Sequence, residues 1–174
     1  MIMGLPWSME NILGWRSRYE AMQRWATRCA DCYVGDRCIS NDFVDFFLAF
    51  MVVCYHLRDF VAKTGGVPAK EIDGLIQTSE PMRICRDVCH RSKHDTSHHT
   101  SKDKPFDAQW SLGQEFDPWP DGTSGISHFL IAGEQKRKAM SVVHECVLFW
   151  ENLVVQGRFA EPTNPFSRDT PGNR

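Results

Sequence analysis

A chain of 174 residues and 20.0 kDa fits one domain with a sizeable core. Apolar residues make up 42% and charged residues 24%, an ordinary globular balance that excludes global disorder. A formal net charge of −2 excludes a wholesale basic nucleic-acid binder but allows a local basic face.

The start, MIMGLPWSMENILGW, has no basic n-region and no long apolar stretch, so no secretory signal is predicted. From Met9 to Tyr33 the residues Ile12, Trp15, Tyr19, Met22, Ala26, Cys29 and Tyr33 recur at steps of three and four, one seam of an amphipathic helix. Ser8 is its candidate cap and Gly35 its stop. A second helix begins after Ser40 or Asn41 and ends at Gly65-Gly66. Its apolar residues crowd every face, which predicts a central helix packed on several sides. Its longest apolar run, Phe46 to Tyr55, is too short for a bilayer, which needs roughly 20 residues.

Pro68 opens a short helix to about Gln77, and Pro81 precedes a fourth helix from Met82 to about His94. Asp95 to Pro105 is polar and aperiodic, a loop. Trp110, Leu112 and Phe116 alternate, PWPDGTSG supplies turn chemistry, and Ile126 to Ile131 is β-prone, so two short antiparallel strands are predicted. A last helix spans roughly Gln135 to Val155. The expected fold is mainly α: a bundle of about four principal helices with a small two-stranded element before the last. Residues 1–156 form a single helical domain, and 157–174, with three prolines and no period, a flexible tail or a surface strap.

Seven cysteines, an odd number with Cys54 and Cys146 in apolar stretches, fit reduced thiols and a cytoplasmic protein. Cys29-x2-Cys32-x5-Cys38 supplies three thiols for a small zinc-binding site, the alternative being small buried side chains. No Gly-rich phosphate loop is present, and no cofactor is predicted.

The fourth helix carries the most chemistry. At about 100° per residue, Met82, Cys85, Val88 and Cys89 fall on one arc, and Arg83, Arg86, His90, Lys93 and His94 on the next. Residues 83–104 hold six Lys/Arg against three Asp, with His98 and His99 nearby, the one basic patch of the chain. Arginine offers phosphate a planar fork of donors, and imidazole exchanges protons near neutral pH. Together they can move a ribose 2′-hydroxyl onto its own phosphate without metal. Arg86, His90 and His94 are the candidate catalytic residues, and Arg83, Arg91 and Lys93 the candidate RNA-binding ones.

Tyr55-His56-Leu57-Arg58-Asp59 at the end of the second helix, followed by Arg86-Asp87 and Ser92-Lys93-His94, resembles the HEPN-like helical bundles over about residues 40–155. It is also similar to small uncharacterised bacterial proteins with an S-K-H box. The resemblance implies an up-and-down bundle, often a homodimer, with RNA as substrate and an antitoxin or defence-system protein as partner. Many such bundles are metal-independent ribonucleases of toxin or phage-defence type. Their motif places four to six residues between Arg and His; here His90 follows Arg86 after three and His94 after seven. Arg83 to His90 has six, but Ile84 replaces the polar second residue. A non-catalytic interaction or dimerisation module is therefore the alternative. No membrane partner is predicted.

Overall fold

The computed structural model describes residues 9–93, 110–118 and 124–161. His94, His98, His99, Trp119, the loop over 95–105 and the tail beyond 161 lie outside the described residues, and of Lys93 only the backbone is described. The elements run α1 (Met9–Asp31), β1 (Tyr33–Val34), β2 (Arg37–Cys38), α2 (Phe43–Thr64), α3 (Ala69–Thr78), α4 (Glu80–Lys93), β3 (Ser111–Pro118), β4 (Ser124–Ala132), β5 (Gln135–Lys138) and α5 (Ala139–Val155). Among the described residues no helix is long and apolar enough to cross a membrane.

The five strands form one antiparallel sheet, which corrects the expectation of a mainly α bundle with a two-stranded element; the fold is α+β. β4 is its central strand. It pairs along one edge with β3, and along the other with β2, where Cys38 faces Ile126, and with β5. The extra strands escape the hydrophobic pattern for plain reasons. β1 and β2 are two residues each, too short to show alternation. β5, Gln-Lys-Arg-Lys, is almost wholly exposed, so its polar run reads equally well as a first helical turn. The last helix accordingly begins at Ala139 rather than Gln135.

The helices follow their periodicity more closely. α2 is the central element: Phe43, Phe47, Phe50, Met51, Cys54, Leu57 and Val61 are at most 1% exposed. α1, α4 and α5 close around it with Trp15, Met22, Met82, Ile84, Cys85, Cys146 and Trp150. α1 is interrupted at Gly14, whose φ of 48° suits glycine. The Trp15 N–H just after this break donates to Thr64 Oγ1 at 2.8 Å, tying α1 to the end of α2. His128, Leu130 and Ala132 alternate inward along β4. The His128 ring packs on Phe43 at 4.4 Å, which seats the sheet against the start of α2.

The chain beyond α5 is held in place as far as it is described. Phe159 is buried, edge-on to Trp15 with ring centroids 5.1 Å apart. Trp15 Nε1 donates to the Ala160 carbonyl at 2.7 Å, and the Ala160 N–H donates to Gly65 O at 2.8 Å. These residues strap α1 to the end of α2.

Candidate functional site

The packed side of α4 is broader than one arc. Met82, Ile84, Cys85, Val88 and Cys89 are buried, and so is Asp87. The adjacent positive arc is correspondingly half sunk, with the Arg86 side chain 18% exposed.

The three arginines of α4 differ in their partners. Arg86 Nε donates to Asp87 Oδ1 at 3.1 Å. Arg91 Nη1 donates to the Trp110 carbonyl at 2.9 Å and pins the entry to β3. Arg83 Nε is buried with no hydrogen-bond partner among the described residues. Burial pushes the Asp87 carboxyl up from its ordinary value, against the opposing pull of Arg86, Arg91 and Arg83, all close enough to stabilise its anion.

The other end of the arc meets α2. His90 is exposed and lies edge-on to Tyr55, with ring centroids 5.3 Å apart. His56 lies on the same tyrosine at 5.7 Å. Burial raises the Tyr55 pKa, while Arg58 and then Arg86 act to lower it, which places guanidinium groups from both helices near its phenol. The Tyr55 hydroxyl accepts from Arg58 Nη1 at 2.9 Å. Asp59 holds His56 Nδ1 at 2.9 Å and Arg58 Nε at 3.1 Å, and Asp73 of α3 takes Arg58 Nη1 at 2.8 Å. Although burial opposes it, the His56 hydrogen bond and Arg58 hold the Asp59 carboxyl below its usual range. Two imidazoles, two guanidinium groups and a phenol thus gather at one junction of α2 and α4. Of the predicted catalytic residues, Arg86 and His90 belong to it. Tyr55, His56 and Arg58, in the stretch Tyr55 to Asp59 that carried the resemblance, are the site members that the single-helix arc could not supply.

Beside this junction a cleft of about 720 Å³ runs between α4 and the β4–β5 turn, within the usual size range of small-ligand sites. Arg83, Arg86, Asp87, Trp110, Glu80 and Glu134 are among its lining residues.

No family model, curated protein or solved structure matches this chain. The chemistry of the site therefore rests on its own residues.

The predicted zinc ligands are buried: Cys29 at 0%, Cys32 at 2% and Cys38 at 8% exposure. Burial pushes the Cys29 thiol up to about 12. The Cys32 and Cys38 thiols donate to the carbonyls of Arg28 and Ser40 at 3.3 and 3.2 Å. His128 is occupied at both nitrogens, by Tyr33 Oη at 3.0 Å and Gln114 Nε2 at 3.1 Å, and its burial favours the neutral ring. Among the described residues, one group of three or more His, Cys, Asp or Glu brings its donor atoms within 4.8 Å of one another: Cys54, Cys85 and Cys146. They come from three helices and share no spacing motif, so the sequence did not single them out as a set.

Proposed function

We propose that the protein is an RNA-directed, HEPN-like protein whose α2–α4 junction acts as a metal-independent ribonuclease site. The observation that carries this reading is the meeting of Arg86 and His90 with His56 and Arg58 around the Tyr55 ring. In the proposed reaction the ribose 2′-oxygen bonds to phosphorus and the bond from phosphorus to the leaving 5′-oxygen breaks. His56, steadied by Asp59, takes the 2′-hydroxyl proton, and His90 gives a proton to the 5′-oxygen. Arg86 stabilises charge on the phosphoryl oxygens. The products are a 2′,3′-cyclic phosphate and a 5′-hydroxyl end. Arg83 in the adjacent cleft suits the phosphate of a flanking nucleotide.

The test is cleavage of single-stranded RNA in EDTA. Activity should survive chelation, show a bell-shaped pH profile, and fall by about 10²- to 10⁴-fold in His90→Ala or His56→Ala. Absence of RNA binding at about 50 mM salt overturns the reading. A homodimer and an antitoxin or defence-system partner belong to the same proposal, and sedimentation at micromolar concentration tests the dimer.

Three observations favour a second reading, a non-catalytic interaction module. Arg86 pairs with Asp87, Arg91 bonds to a backbone carbonyl, and exposed Val34, Ile39 and Phe116 offer apolar contact elsewhere. Binding by such a module should respond weakly to salt, whereas binding through a phosphate site should weaken with a log–log slope of roughly −2 to −4.

A further inference from the structure

Three helices from distant parts of the chain bring one cysteine each to a common point in the core. Cys54 of α2, Cys85 of α4 and Cys146 of α5 are each 0% exposed, and their sulfurs lie within 4.8 Å of one another. The Cys85 thiol donates to Met51 O at 3.4 Å and the Cys146 thiol to Pro81 O at 3.3 Å. These bonds turn two S–H groups toward carbonyls and leave sulfur lone pairs for the shared centre. The Trp150 indole nitrogen is also buried and has no hydrogen-bond partner among the described residues.

We propose that Cys54, Cys85 and Cys146 form a three-thiolate site for a trivalent, thiophilic metalloid, taken up as neutral arsenous acid. This goes beyond the RNA-directed reading and does not rest on it.

Distance, softness and charge select the ligand. A centre bonded to three thiolates at about 2.3 Å, pyramidal because it keeps a lone pair, holds its sulfurs about 3.5 Å apart, so sulfurs already within 4.8 Å need to close by at most about 1.3 Å. Three sulfurs exclude hard cations such as magnesium and calcium. A closed zinc site takes four ligands, and this group supplies three. Charge decides among the remaining thiophiles. A coordinating thiol loses its proton, so three thiolates around a monovalent ion carry −2, around a divalent ion −1, and around a trivalent centre zero. All three sulfurs are fully buried in the apolar core, and the residue next to Cys146 in the chain is Glu145, an acid. A net negative charge would be buried here without compensation, which is costly; a neutral complex would not.

The reaction balances without an oxidant. In each of three steps one S–H bond and one As–OH bond break, one As–S bond forms and one water leaves. Arsenic stays trivalent throughout, and its lone pair fills the position a fourth ligand would take. Entry to this enclosed point requires local opening of the helices or loading while the chain folds.

The experiment refolds full-length reduced protein with arsenite and, separately, with cadmium. Native mass spectrometry should show one arsenic gained and three hydrogens lost, and X-ray absorption three As–S bonds with no As–O bond. The near-isosteric Cys146→Ser should lower arsenite affinity at least tenfold, while Cys32→Ser, outside the group, should leave it unchanged. No arsenic bound, equal affinity in Cys146→Ser, or loss in Cys32→Ser overturns the proposal. Cadmium binding tighter than arsenite overturns the charge argument and with it the choice of ligand. If Cys146→Ser does not fold, the absorption spectrum of the wild-type protein together with Cys32→Ser decides.

Discussion

Phe159→Ala measures how firmly the strap after α5 is docked. The ring is 8% exposed and packs against Trp15 at 5.1 Å and Trp150 at 6.3 Å. Truncating a buried phenylalanine costs about 3–5 kcal/mol, of which aromatic pairing supplies about 0.5–1.5 kcal/mol. Phe159 lies at the rim of the core, where neighbours can partly collapse, so the low end, about 3 kcal/mol, is expected. For a chain of this size that lowers Tm by about 6–12 °C. The assay is urea unfolding followed by tryptophan fluorescence and far-UV circular dichroism. The midpoint should fall with an unchanged slope. A loss within about 0.5 kcal/mol, the range of an ordinary surface change, would refute the docking of this segment, as would a change in slope with no change in midpoint.

Three further outcomes follow from particular side chains. Burial holds the His128 pKa below the ordinary imidazole value of about 6.5. As pH falls below about 6.5 the unfolded chain therefore takes up the proton first, and stability declines until the folded-state value is passed. Urea midpoints at about pH 7.5 and about pH 5.5 should differ less in His128→Gln than in the wild type; an unchanged difference would place the dependence elsewhere. Gly66, at φ 72°, should lose about 1–2 kcal/mol on replacement by alanine, read as a lower urea midpoint. Arg91→Ala removes the donor to Trp110 O and should cost about 1 kcal/mol. Its amide hydrogen exchange should quicken at Ser111 and Leu112 and not in α2.

The helices were legible because each carries enough turns for its period to show. α2 was recognisable as central from apolar residues on every face, and Phe43, Phe47, Phe50 and Val61 are indeed fully buried. Two of the five described strands were legible in the alternation of β3 and β4. β1, β2 and β5 were not, because two-residue strands and an exposed Gln-Lys-Arg-Lys strand leave no apolar signature. At the site, the geometry of one helix brought Arg86 and His90 together. It could not show that Asp87 is buried beside Arg86, nor that Tyr55 docks beside His90, since both depend on how α2 and α4 pack. The cysteines make the same point. Close spacing drew attention to Cys29, Cys32 and Cys38, yet the tightest gathering of sulfurs joins residues that no local pattern links.

The position of β4 bears on how the chain reaches this state. Its neighbour β2 is made before α2, and its neighbours β3 and β5 lie on either side of it in sequence. Cys38 must therefore wait for Ile126 across three intervening helices. The α1–α2 pair joins neighbouring stretches of chain and has no such delay. Long-range pairing bears its loop-closure entropy before any contact rewards it, which slows folding. The helical half should therefore collapse early while β2 keeps an unpaired edge. In that interval the hairpin Tyr33–Cys38, with Val34 exposed, is the part of the chain most open to pairing with the wrong strand.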